Sequence, residues 1–260
     1  MIQEAKLLIN YRDLFYIWTI REIKIRYKQS ILGGAWAILQ PLSLMLIFTV
    51  VFSYLVRVPS EGIPYPLFAY AGLLLWSFLT TGINFGVPSL VNNMGLLTKI
   101  YFPREILPVA AVCASLVDFL IGFVFFMILF LFYGAHIYIM FLWLPIILLA
   151  EIMLVIGIVL IGSALNVFYR DVRFIIPLFT QLWFYASPVI YPLEVVPEWL
   201  QPYYALNPMV GILDSFRKVM LHNQAPSLPI LFYSFIISMV LMILGLILFK
   251  RVEWKFADVI

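Results

Sequence analysis

The sequence predicts an all-α integral membrane protein: six transmembrane helices, an N-terminal amphipathic interface helix, and short re-entrant helices before the last span. Three observations predict it. Hydrophobic residues make up 65% of the 260-residue chain and charged residues 11%, where a soluble domain carries about 25% charged residues. Mean hydropathy is +1.07. Apolar runs recur at 31–56, 67–91, 106–133, 141–168, 174–191 and 228–249, and all but the fifth exceed the ~20 residues a spanning helix needs. Finally, if each run crosses once from a cytoplasmic N-terminus, thirteen of the sixteen Lys and Arg fall on the cytoplasmic side. Only Arg57, Arg217 and Lys218 fall outside, and that bias places both termini in the cytoplasm. The chain reads as one domain throughout.

Residues 1–30 mix Lys6, Arg12, Arg21, Lys24, Arg26 and Lys28 with apolar and aromatic residues. On a helix Leu14 and Trp18 share one face, and Arg21, Lys24 and Lys28 cluster on another, as in a helix lying at the cytoplasmic membrane surface. A solvated basic leader is the plainer alternative. The order of a cleavable signal peptide is absent.

The first two runs are joined by a loop holding Pro59, Gly62, Pro64 and Pro66, the third and fourth by a turn at Gly134. Between the second and third lies 92–105, NNMGLLTKIYFPRE, which places Leu97, Ile100, Tyr101 and Phe102 beside Arg104 and Glu105. Such a loop suits a docking surface; its alternative is a segment that dips into the bilayer. Asp118 and Glu151 fall inside the third and fourth runs, where an ionisable side chain needs a partner or a wet cavity. No basic residue lies within a span to pair with either, and they read as a proton relay or as polar glue between helices.

The fifth run follows the charged cluster Arg170, Asp171 and Arg173 and is interrupted by Pro177 and closed by Pro188. It suits the wall of a passage or an ordinary kinked, buried helix. The segment 192–227 is amphipathic and punctuated by proline. Asn207-Pro208 begins a helix through Met209, Ile212, Leu213 and Phe216. Trp199, Tyr203 and Tyr204 are headgroup-level aromatics. Two short helices on or within the outer leaflet, capping a pathway, are expected here.

Catalytic signatures are missing. No glycine is followed by lysine, so there is no phosphate-binding loop, and neither a G-x-S-x-G elbow nor an H-E-x-x-H helix occurs. Cys113 is alone, and His136 and His222 are far apart, so neither an intrachain disulfide nor a metal cluster is expected. ATP-driven work would need a second polypeptide. Aromatic residues make up 17% of the chain. Trp36, Gln40, Asn84, Phe85, Gln181, Trp183, Phe184 and Tyr185 combine ring faces with hydrogen-bonding tips, a surface that suits sugars. Each of them taken singly also fits helix packing.

These stretches carry a resemblance as well. LFYIWTIREIKIRYKQSILGGAWAILQP, LLTKIYFPREILP, YRDVRF, ASPVIYP and LNPMVGILDSFRKVML, in this order, are similar to the transmembrane subunit of ABC type-2 exporters. The closest likeness is to polysaccharide and O-antigen permeases of the Wzm type. The resemblance implies a homodimer in the bacterial inner membrane, paired with two copies of a separate ATPase subunit that binds ATP and Mg; no cofactor is held by this chain. It implies that Lys99, Tyr101, Phe102, Arg104 and Glu105 belong to the ATPase coupling loop, and Trp199, Tyr203, Asn207, Pro208 and Arg217 to an external gate. The cargo would be a lipid-linked polysaccharide threaded through a channel at the dimer interface, with no nucleic acid involved. A teichoic acid, a capsule polymer or a small hydrophobic compound would suit the same architecture. An ion-coupled secondary transporter would instead use Asp118 and Glu151 as its relay, and an intramembrane enzyme would need paired acids at one depth.

Overall fold

The computed structural model describes residues 11–55, 62–97, 102–136, 138–197 and 199–256. Among them there is helix and no strand. The eight principal helices are α1 Arg12–Tyr27, α2 Trp36–Phe48, α3 Tyr65–Gly86, α4 Ile106–Phe132, α5 Leu144–Phe168, α6 Val172–Tyr185, α7 Pro208–Leu221 and α8 Leu228–Val252. A π-helical turn, Thr49–Leu55, prolongs α2.

Five helical stretches are long and apolar enough to cross a membrane: Gly33–Ser53, Tyr65–Gly86, Ile106–Phe132, Ile139–Phe168 and Leu228–Lys255. The fifth expected span, 174–191, is helical only as part of α6, 14 residues long. At 1.5 Å per residue that is about 21 Å, short of the ~30 Å hydrocarbon core. The helix stops because the chain turns at Ala186 and Ser187, and Pro188 has no N–H with which to continue it.

Helix α3 is the centre of the bundle. Of its apolar window 78% is buried, against 11% for the stretch containing α2. Pro66 sits in its first turn, where the missing N–H costs nothing. Around α3 pack α2, α4, α5 and α7, and α8 lies along α5. The α5–α8 contact is close because glycines face each other. A Cβ on Gly157 would stand 2.6 Å from the Leu241 carbonyl carbon and the Met242 nitrogen, and one on Gly245 would stand 2.7 Å from the Gly157 carbonyl oxygen. Small residues that let helix backbones approach are a usual device of membrane bundles.

A second, smaller core gathers at the opposite end from α7. Trp18 of α1, Leu90, Phe102, Ile106, Leu160, Phe249 and Phe256 are buried together there. It joins the leader, the start of α4 and the ends of α5 and α8. Helix α1 is therefore packed protein on one face: it lies against α4, with Trp18 7% exposed and the Arg21 guanidinium 4.3 Å above the indole ring.

Candidate functional site

Four helices, α1 to α4, enclose a cavity of about 220 Å³. Helix α1 delivers Arg26 and Tyr27 to it because its last turn lies against α4. Arg26 Nη1 is 2.6 Å from Asp118 Oδ2, Nη2 donates to the Ala111 carbonyl at 2.7 Å, and the guanidinium lies 4.1 Å over the Phe85 ring. Tyr27 donates its hydroxyl to Asp118 Oδ1. Burial, and then the neighbouring carboxylate, hold the Tyr27 phenol above the usual tyrosine range. Asp118 thus has a basic partner, which comes from the leader and not from any span. Arg26 and Asp118 are 92 residues apart in sequence.

The cavity brings Trp36, Gln40 and Phe85 together, three of the eight ring-and-tip residues picked out in the sequence. Asn84 is exposed on α3 and does not line it. Ser77 and Thr81, one turn apart on α3, add hydroxyls that composition alone did not distinguish from helix filler. The signal was available in their spacing, since positions 77, 81 and 85 share one helical face.

Helix α6 divides the remaining four. Trp183 and Phe184 turn inward, their ring centroids 5.8 and 5.4 Å from Trp76, and Phe184 stacks on Phe48 at 6.0 Å. Gln181 and Tyr185 face outward, Tyr185 being 61% exposed. The inward stripe Val172, Ile176, Thr180, Trp183 has helical spacing and settles which ring packs and which does not.

Asn207 caps α7 by accepting from Met209 N at 3.1 Å, and Pro208 occupies the first turn. The same carboxamide accepts from Trp183 Nε1 at 2.9 Å and donates to the Ala186 carbonyl and Ser187 Oγ. Arg217 is buried, donating to the carbonyls of Pro188 and Val189 with its guanidinium 3.7 Å over the Phe68 ring. It organises the turn after α6. Trp199 and Tyr203 are exposed. A smaller cavity, about 120 Å³, lies beside Arg217, with Glu194, Asp214, Lys218 and His222 in its wall.

Of the five loop residues expected to dock a partner, Lys99 and Tyr101 lie outside the described residues. Phe102, expected on display, is buried at 7% exposure in the smaller core, because Phe249 and Phe256 of the C-terminal helix offer it an apolar seat. Arg104 donates to the Glu253 carbonyl, and Glu105 lies 2.7 Å from Lys250 Nζ. The loop is fastened to the end of α8, which sequence reasoning missed: nothing local in 92–105 points to residues about 150 positions away.

Glu151 is fully buried on α5, and neither carboxylate oxygen has a hydrogen-bond partner among the described residues. Asp118 and Glu151 are not brought to one site: Asp118 lines the cavity and Glu151 does not. Among the described residues no three His, Cys, Asp or Glu gather as metal ligands would. Chemically, the larger cavity offers rings, hydroxyls and an amide around a neutralised ion pair.

Comparison with known proteins adds the following. The profile of the ABC-2 type transporter family matches residues 13–221. The O-antigen export system permease protein RfbA of Myxococcus xanthus is 30% identical over 265 residues, covering 99% of both chains. An RfbA of Klebsiella pneumoniae is 29% identical over 95% of both. The polysialic acid transport protein KpsM of Escherichia coli is 26% identical over 90% of this chain and 91% of its own.

Proposed function

The chain belongs to the ABC-2 type transporter family as a multi-pass membrane permease, and from that premise we propose that it exports a lipid-linked polysaccharide of O-antigen type across the bacterial inner membrane. The observation that carries this reading is the end-to-end similarity to RfbA permeases. Two copies form a homodimer with the glycan path between them. A separate ATPase, also in two copies, binds ATP and Mg and supplies the energy.

In this arrangement both termini are cytoplasmic and the chain crosses six times. The fifth crossing is α6 completed by the bent stretch to residue 191, with Arg217 holding the carbonyls of that stretch. The region from 192 to 227 forms the external gate, and the smaller core around Phe102 is the cytoplasmic end on which the ATPase acts. The similarity to KpsM, a polysialic acid transport protein, supports a second reading, in which the polymer is of that kind rather than O-antigen.

Deletion of the chain in its native host tests the function. Surface polysaccharide should fall and lipid-linked polymer should accumulate inside, and the identity of the trapped polymer separates the two readings. Unchanged surface polysaccharide would sink both. Topology is tested with single cysteines in a Cys113→Ser background: Ser60 and Gln201 positions should label from outside, Thr98 and Lys255 positions only from inside.

A further inference from the structure

We propose that the cavity among α1, α2, α3 and α4 is a binding niche for one uncharged pyranose unit of the exported glycan, a subsite built entirely within a single copy of the chain. The inference rests on the export reading above and adds to it a defined place, size and charge preference.

Size comes first. A cavity of about 220 Å³ has room for several waters and lies below the ~300 Å³ at which drug-sized pockets begin. One sugar ring with its hydroxyls suits such a half-open space, and the rest of a longer glycan would lie outside its mouth. The inner wall is apolar, made by Leu74, Phe78 and Phe119, each at most 3% exposed. The rim carries two rings on opposite elements, Trp36 at 53% exposure on α2 and Phe85 at 43% on α3. An apolar face and a ring at the mouth suit the C–H face of a pyranose.

Polar groups decide what kind of ring. The side chains of Gln40, Ser77 and Thr81 line the niche and make no hydrogen bond among the described residues. Arg26, whose side chain is 4% exposed, keeps a buried Nε without a partner beside it. Donors and acceptors in this mixture match hydroxyls, which both give and accept. A hydroxyl-binding wall is also the kind that discriminates strongly, since a ligand lacking the hydroxyl leaves buried polar groups unpaired.

Charge decides against an anion. Arg26 and Asp118 are the charged residues in the lining, and at 2.6 Å they neutralise each other. A phosphate or diphosphate entering here would meet Asp118 as directly as Arg26, with no surplus cation to offset its desolvation. The niche is therefore selective for the sugar part of a lipid-linked glycan over its phosphate part. The ion pair acts as a preset scaffold: Asp118 is oriented by Arg26 and Tyr27, and its remaining lone pairs can accept from a ligand hydroxyl.

The test uses the full chain with its ATPase partner in lipid nanodiscs free of glycolipid. The probes are methyl pyranosides of glucose, galactose and mannose, and sodium pyrophosphate, with binding read by saturation-transfer NMR. At least one methyl pyranoside should bind saturably and pyrophosphate should not compete with it. Thr81→Val and Gln40→Leu should each weaken that binding about three- to tenfold, the value of one lost hydrogen bond, while Thr81→Ser should retain it. Membrane abundance and melting temperature of the variants separate a lost contact from a lost fold. Absence of saturable binding, displacement by pyrophosphate, or equal binding by folded Thr81→Val and Gln40→Leu would overturn the niche. The export reading fails on different grounds, namely unchanged surface polysaccharide when the chain is deleted.

Discussion

Arg26, at the end of the leader helix, lies 2.6 Å from Asp118, in the third long apolar helix, and both are largely shielded from solvent. This pair, with Tyr27 on the second carboxylate oxygen, fixes a helix outside the spans to the bundle within them. Removing one partner of a buried ion pair leaves an uncompensated charge, at a cost of roughly 3–5 kcal/mol. Asp118→Ala should therefore sharply reduce membrane abundance and melting temperature. The double variant Arg26→Met/Asp118→Leu should recover a large part of the loss. A double variant no better than the single one would show that the pair matters for something other than its charge balance.

The α5–α8 contact gives a second prediction. Any Cβ on Gly157 meets the backbone of Leu241 and Met242, which cannot rotate away. Gly157→Ala should destabilise the protein by about 1–3 kcal/mol, the usual cost of overfilling a packed site. Gly95→Ala, where nothing lies within 4 Å of the added carbon, is the control. Similar melting temperatures for the two variants would contradict the close approach.

At the smaller core, Glu105 and Lys250 offer a charge-swap test. Glu105→Lys faces Lys250 with a like charge, and assembly with the ATPase should fall together with abundance. Glu105→Lys/Lys250→Glu should restore abundance. If it restores coupled ATPase activity as well, Glu105 works by holding the loop in shape. If abundance returns and activity does not, Glu105 touches the ATPase directly.

His222 follows α7, outside the long spans. Burial holds its imidazole below the usual histidine value; Glu194 and Asp214 pull upward, Lys218 and Arg217 push downward. An unfolded histidine titrates near ~6.5. As pH falls through that value the unfolded chain takes up the proton first, so folded stability declines from there down to the lower folded value. Melting temperature should drop more on acidification in the parent protein than in His222→Gln. Equal drops would rule out His222 as a source of the pH dependence.

The long helices were legible because apolar length is a strong signal: the run at 106–133 became Ile106–Phe132, and that at 228–249 became Leu228–Val252. In the fifth run the helix ends at Tyr185, before the closing Pro188, because a turn at Ala186 and Ser187 intervenes. Ala186, Ser187 and Pro188 are as compatible with an apolar segment as with its end, and Arg217, which holds that turn, lies about 29 residues later. The site was half legible. Ring-and-tip chemistry pointed to Trp36, Gln40 and Phe85, which do meet. It could not tell inward Trp183 from outward Tyr185 without the neighbour Trp76. Nor could it pair Asp118, since the cation that meets it, Arg26, comes from the leader and not from any span.

Asn207 carries a consequence for synthesis. Its carboxamide uses both acceptor and both donor positions at once, bridging Trp183, Ala186 and Ser187 on one side and Met209 on the other. The junction thus has no half-made form that satisfies the amide. Trp183 precedes Asn207 by 24 residues, which a ribosome at ~5–20 residues per second needs about one to five seconds to add. During that interval the indole N–H of Trp183 must rely on a substitute, a lipid headgroup, water or an insertion factor. On the six-crossing topology proposed above, α6 would enter the bilayer unfinished and be closed only when α7 arrives.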